Sequence, residues 1–198
     1  YQNLSFLESF KPENVLILSG DHIYKMHYGE MLKAHKESGA AVTIAVMPVP
    51  WEEASRFGIM NVDEEGTITD FEEKPAEPKS NLASMGIYIF TYEVLKKYLE
   101  ADERDPSSAN DFGKNIIPTM LENGEKMVSF RFEGYWKDVG TIHSLWEANM
   151  DLVDQPPKFD LNDRSWSIYS RNMALAPHYV GQNAKITNST VTEGCFID

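Results

Sequence analysis

The chain has 198 residues, 42% hydrophobic and 25% charged, enough for one globular domain with an appendage, or for a domain missing a part, with ample material for a core. Its 31 acidic against 18 basic residues give a formal charge of −13, a surplus that argues against a nucleic-acid-binding surface while leaving room for a local basic pocket. The lone Cys195 excludes an intramolecular disulfide and a Cys-rich zinc site, and no apolar run approaches the roughly 20 residues that cross a bilayer. With no basic-then-apolar leader either, a cytoplasmic location is expected, with neither a membrane nor a nucleic-acid partner.

In chain order, residues 4–10 read as the end of an amphipathic helix broken by Pro12 and Asn14. Val15-Leu16-Ile17-Leu18 is a continuous apolar run that stops at Ser19-Gly20-Asp21, the mark of a strand buried on both faces in a parallel sheet. Tyr28, Met31, Leu32 and His35 recur at helical spacing before the stop at Gly39, and Ala41 to Val49 gives a second buried strand. Strands over 58–62 and 68–73 are joined by the turn Asp63-Glu64-Glu65-Gly66. A strand at 86–90 runs into a helix over 92–100, and a polar loop over 101–110 follows. Asp111 then caps a helix reaching about Glu122, bent by Pro118. A strand over 127–132 and an amphipathic helix over 142–152 complete an α/β layered domain with a mainly parallel sheet.

Past Pro156-Pro157 the pattern changes. Residues 158–178 have no clear period, and then Val180, Ile186, Val191 and Ile197 recur with small residues at Ala184 and Cys195. That spacing fits the first rungs of a hexapeptide β-helix or a single hairpin. The expected division is a first domain over 1–154, a linker over 155–178, and a further domain beginning at 179–198. Because the chain starts at Tyr1 and stops inside this pattern, it reads as an internal piece of a longer protein.

Candidate chemistry sits at strand ends, where ligands collect in open α/β sheets. Asp21, beside Gly20, and Asp138, in Tyr135-Trp136-Lys137-Asp138-Val139-Gly140-Thr141, are each placed to hold a hard cation, or merely to cap a turn. Together they could clamp one ion. Lys74 is a point charge suited to a phosphate and Glu73 an acceptor for sugar hydroxyls, unless the two are only an exposed pair before Pro75. Gly58 could offer a backbone contact and Ser84 a hydroxyl, while Tyr88 and Trp136 could wall a sugar pocket or simply fill the core. The five histidines show no metal-ligand spacing.

The ordered segments Ser19-Gly20-Asp21-His22-Ile23-Tyr24, Ala54-Ser55-Arg56-Phe57-Gly58, Glu72-Glu73-Lys74-Pro75, Ala83-Ser84-Met85-Gly86-Ile87-Tyr88, Asp111-Phe112-Gly113 and Tyr135 to Thr141 together resemble the bacterial glucose-1-phosphate adenylyltransferases. The resemblance covers nearly the whole chain. It implies a Rossmann-like nucleotidyltransferase domain, truncated at its N-terminus and followed by the start of a left-handed parallel β-helix. It also implies the reaction of ATP with α-D-glucose 1-phosphate to give ADP-glucose and pyrophosphate, serving glycogen synthesis, with Mg²⁺ and in an allosteric homotetramer. By the same resemblance Asp21 and Asp138 are the catalytic metal ligands. Gly58, Glu73, Lys74 and Ser84 contact glucose 1-phosphate, and Tyr88, Asp111 and Trp136 complete the substrate-binding set. Two features depart from the family: its Gly-rich nucleotide loop has no counterpart here, so the chain alone is expected to be inactive, and His27 stands where relatives commonly carry Asp. The rivals are a related enzyme making GDP-, UDP- or dTDP-sugars and a non-catalytic regulatory subunit of the same fold.

Overall fold

Helix α1, Leu4–Phe10, ends where Lys11 takes a left-handed φ of 48°, and strand β1, Asn14–Ile17, and the short β2, His22–Tyr24, follow. Helix α2, Tyr28–Ser38, is stopped by Gly39 at φ 62°, a conformation glycine adopts without steric cost. Strand β3, Val42–Pro48, precedes a 3₁₀ turn at Trp51–Arg56 and the pair β4, Gly58–Val62, and β5, Ile68–Glu73. Strand β6, Leu82–Thr91, runs directly into α3, Tyr92–Glu103. A π turn, Phe112–Ile116, merges into α4, Ile117–Glu122. After β7, Met127–Arg131, come β8, Trp136–Asp138, α5, Ile142–Asp151, and the two-residue strands β9, Tyr179–Val180, and β10, Phe196–Ile197. The computed structural model describes residues 1–169, 171 and 174–198, in two compact units, residues 1–20 with 26–134 and residues 21–25 with 135–198.

The first unit is a mixed sheet in the order β5-β4-β6-β3-β7, with β1 also paired to β6, and helices α2, α3 and α4 lie against it. The expectation of a mainly parallel sheet is corrected here, because only β3 and β7 pair in parallel among the described residues of this sheet. The strand–helix alternation does orient β1, β3 and β7 alike, since β1 and β3 are both antiparallel to β6. Strand β6 slots between β1 and β3 in the opposite sense, and a local sequence pattern cannot encode that insertion. The same placement corrects the reading of β1 as buried on both faces: among the described residues it pairs with β6 alone, and Leu16 and Leu18 are exposed.

Central strand β3 is buried from Val42 to Val46, and the core gathers Ile44, Met60, Phe90, Leu95, Ile117, Met120 and Met127 around it. His35 of α2 is buried, its Nδ1 2.8 Å from Thr43 Oγ1 and its Nε2 3.3 Å from Thr91 Oγ1, tying the helix to β3 and β6. Pairing between β3 and β6 shifts register between Ile44 and Val46, next to Gly86 at φ 66°. Such a bulge re-aims side chains, here between Ser84 and Tyr88.

In the second unit β2 and β8 form an antiparallel ribbon. Helix α5 begins with a reciprocal capping box in which Thr141 and Ser144 satisfy each other's backbone N–H groups. Buried Asp151, at the end of α5, accepts hydrogen bonds from Tyr135 Oη (2.8 Å), Lys137 Nζ (3.2 Å) and Lys158 Nζ (2.7 Å). Strands β9 and β10 pair in parallel, Tyr179 opposite Phe196 and Val180 opposite Ile197. A hairpin pairs antiparallel, so the hairpin alternative for this stretch does not hold.

Candidate functional site

The two aspartates arrive together because their flanking segments pair with each other. His22 lies opposite Asp138 in the β2–β8 ribbon, and the Val139 N–H donates to the Asp21 carbonyl at 3.0 Å. Asp21 Oδ2 and Asp138 Oδ1 flank one point: a Cβ built on Gly140 would stand 3.5 Å from the first and 3.0 Å from the second. Asp138 Oδ1 also accepts the Gly140 N–H at 2.8 Å, so its turn-forming role and its position in the pair coexist. The Asp21 side chain is 58% exposed, with its Oδ1 3.6 Å from His22 Nε2. No group of three or more His, Cys, Asp or Glu side chains placed to hold a metal exists among the described residues. Two carboxylate oxygens facing one point, with the remaining positions left to water and phosphate, fit a hard cation such as Mg²⁺. Trp136 belongs to this ribbon, its Nε1 3.4 Å from His22 Nδ1 and its ring edge-on to that imidazole at 5.4 Å.

The other candidates form a second cluster, in the first unit. Gly58 lies opposite Glu73 in the β4–β5 register. Glu73 Oε2 is 2.9 Å from where a Gly58 Cβ would be and 2.6 Å from where a Gly113 Cβ would be. Burial raises the Glu73 carboxyl pKa; Lys74 and Lys114 oppose that shift and the negative charge of Asp111 adds to it, for a net rise above the usual range. Lys74 Nζ is 3.9 Å from Glu73 Oε1, and its side chain is 64% exposed, so the ammonium can turn to an anion. The Lys74 backbone has φ 49° just before Pro75 and donates its N–H to the Phe57 carbonyl at 3.1 Å. A left-handed non-glycine residue is held there against its preference, as occurs at functional sites.

Ser84 and Tyr88 come from β6, and Tyr88 lies within electrostatic reach of Glu73. Burial raises the Tyr88 phenol pKa, a hydrogen bond with Ser84 offsets part of the shift, and the charges of Glu73 and Asp111 add to it. Asp111 caps the π turn, its Oδ1 accepting the Lys114 N–H at 2.8 Å. Phe112 stacks on Tyr88 with ring centroids 5.7 Å apart. Sequence reasoning gave no role to Gly113 or Lys114, although the first lay inside a quoted segment. His27 is exposed and precedes α2 without capping it by its side chain.

The chain therefore brings Asp21 and Asp138 together with Trp136 in one unit, and Gly58, Glu73, Lys74, Ser84, Tyr88 and Asp111 in the other. The first cluster sets two carboxylates side by side, and the second gathers a half-buried carboxylate, an exposed ammonium, a hydroxyl and a phenol. Compared with known proteins, residues 1–155 match the family model for nucleotidyl transferases. The glucose-1-phosphate adenylyltransferase of Clostridium beijerinckii is 61% identical over the whole of this chain, which covers 51% of that protein. Proteins of the same name from Clostridium botulinum and Bacillus cereus are 60% and 58% identical over the whole chain, which covers 51% and 53% of them. The chain thus spans about half the length of the curated relatives it matches.

Proposed function

The chain belongs to the nucleotidyl transferase family, and on that premise we propose that the whole protein carrying it transfers the adenylyl group of ATP to α-D-glucose 1-phosphate, releasing pyrophosphate and forming ADP-glucose for glycogen synthesis. The observation that carries this reading is the Asp21–Asp138 pair on adjoining ribbon segments, two carboxylate oxygens facing one point. The identity to adenylyltransferases across the whole chain supports ATP over other nucleotides and catalysis over a regulatory role.

In the proposed reaction an oxygen of the sugar phosphate attacks the α-phosphorus of ATP; that P–O bond forms as the bond to the departing pyrophosphate breaks. A phosphate monoester is already largely dianionic at neutral pH, with a second pKa of about 6, so the nucleophile needs no general base. Positioning and charge neutralisation then carry the rate. Lys74 pairs with the phosphate of the sugar, Glu73 accepts from its hydroxyls, Ser84 donates to it, and Gly58 admits it close to the backbone; Tyr88 and Asp111 shape the floor around Glu73. Asp21 and Asp138 hold Mg²⁺, which when bound offsets the charge on the phosphate oxygens.

The same reading includes a homotetramer, allosteric control, a cytoplasmic location and a β-helix beginning at 179–198. The parallel pairing of β9 with β10, 17 positions apart in the chain, supports the last of these as one turn of a solenoid. Among the described residues no helix is long and apolar enough to cross a membrane. The test is turnover of the whole protein with ATP, glucose 1-phosphate and Mg²⁺, beside the Asp21→Ala and Asp138→Ala variants. Each substitution is expected to lower kcat by at least about 100-fold. Near-normal turnover in either variant, or preference for UTP, GTP or dTTP over ATP, refutes the reading.

A further inference from the structure

Glu73 ends in a slot made of two glycines, and neither glycine is there for its backbone. The residues with left-handed φ include Gly39, Gly66 and Gly86 but not Gly58 or Gly113, so an alanine could adopt the backbone at either position. What an alanine could not find is room. A Cβ on Gly113 would come 2.6 Å from Glu73 Oε2 and 3.4 Å from Asp111 Oδ1; a Cβ on Gly58 would meet the Phe71 ring first, at 2.7 Å, and the same Glu73 oxygen at 2.9 Å. Real Cβ atoms essentially never approach oxygen below 3.0 Å. The two glycines come from separate elements, one at the start of β4 and one in the π turn.

From this the geometry points to Gly113 as a positioning residue: with Gly58 it fixes the place of the Glu73 carboxylate, and thereby the affinity for the hydroxylated sugar phosphate, a role that rests on the function proposed above. The π turn is the device that sets it. Ile117 N–H returns to the Phe112 carbonyl five residues back, and Asp111 caps the turn. Pro118 has no N–H to offer residue 114, which frees the ladder to widen at this point. The widened turn holds Gly113 against Glu73 with its missing side chain facing the carboxylate.

The obstructed atom is the tip of a flexible side chain, not backbone. A methyl at position 113 therefore swings Glu73 aside at little cost to the fold, and the damage falls on ligand binding. That separates a positioning role from a merely structural one.

The experiment is a double-mutant cycle in the whole protein with Gly113→Ala, Glu73→Ala and both together. Gly113→Ala is expected to raise KM for glucose 1-phosphate about tenfold, with kcat changed less and the thermal midpoint nearly that of wild type. In the Glu73→Ala background the same substitution is expected to change KM by less than about twofold. An equal effect in both backgrounds, or an unchanged KM in the single variant, overturns the inference. In parallel, ¹³C NMR follows the Glu73 carboxyl with pH. It is expected to titrate above the usual range in wild type and closer to it in Gly113→Ala, and identical titrations overturn the inference. Absence of ADP-glucose formation by wild type sinks the proposed function and with it the link to sugar phosphate, while the NMR comparison still decides whether Gly113 places Glu73.

Discussion

Asp151 is the point from which the ribbon bearing Asp138 is held, and its replacement gives a quantitative test of the second unit. Lys137 and Tyr135 both reach Asp151 from β8 and its approach, at 3.2 and 2.8 Å, while Asp138, the next residue after Lys137, turns to the other side of the strand. Asp151→Asn keeps the volume and one acceptor oxygen but presents an amide N–H₂ to a lysine ammonium. Tyr135 and Lys137 donate to the same oxygen, Oδ2, so both bonds can stay on the amide oxygen but lose the charge of their acceptor, at about 1 kcal/mol each. Lys158 is 61% exposed and keeps Asp154 at 3.4 Å, so its loss adds little. The expected cost is about 2 kcal/mol, a fall of about 1 M in the urea midpoint at an m-value near 2 kcal/mol/M. Tryptophan fluorescence is a suitable assay, because Trp136, Trp146 and Trp166 lie in this unit and only Trp51 in the other. Burial pushes the Asp151 carboxyl up, but the bonds from Lys158, Tyr135 and Lys137 outweigh it and leave the folded pKa below the usual value. Its stabilisation is therefore complete above the unfolded pKa of about 3.9 and is lost as pH falls through the lower folded value. The gap between wild type and variant should stay constant from about pH 5 to 8 and close in acid. A variant within about 0.5 kcal/mol of wild type at pH 7, or a gap that widens in acid, refutes the reasoning.

Three further outcomes follow from single features. Lys74→Ala should raise KM for glucose 1-phosphate more than it lowers kcat, because its exposed ammonium serves ground-state binding; an unchanged KM in steady-state assays counts against the phosphate contact. Burial, aided by Lys36, lowers the His35 pKa, so folding stability should be full above the unfolded value near 6.5 and decline as pH falls below it, a slope that His35→Gln should remove; equal slopes in urea titrations would sink the idea. Gly86→Ala forces a side chain into φ 66° at the β6 bulge, which should cost about 1–2 kcal/mol and weaken sugar-phosphate binding through Ser84 and Tyr88; calorimetry on the pure variant measures both.

Much of the fold was legible because it is written locally. The hairpin of β4 and β5 follows from its turn residues, α2 from apolar spacing closed by Gly39, and the π turn's start from Asp111. What escaped is non-local. The ribbon of β2 and β8 joins residues 22–24 to 136–138 through three-residue strands, too short for any period to register. The direction of β6 is likewise a tertiary choice, made when its apolar face meets β1 on one side and β3 on the other. Each aspartate could be singled out from its position after an apolar or turn-bounded segment, but the pairing that sets them side by side could not be read from either segment alone.

The glycines carry the remaining step. In a sequence, glycine is first read as a turn or cap, and Gly39 and Gly66 behave that way, with positive φ. Gly58, Gly113 and Gly140 do not have positive φ, yet each abuts a candidate carboxylate: Glu73 for the first two, and both Asp138 and Asp21 for the third. A side chain at Gly140 would place a methyl against both aspartates, in the space a shared cation needs, just as one at Gly113 would evict Glu73. Both clusters thus share one feature: each candidate carboxylate lies against a neighbour that has no side chain. Substitution of Gly113 should accordingly cost binding far more than folding, the reverse of what a glycine at positive φ does, whereas at Gly58 a methyl also meets the Phe71 ring packed on the core and costs folding as well.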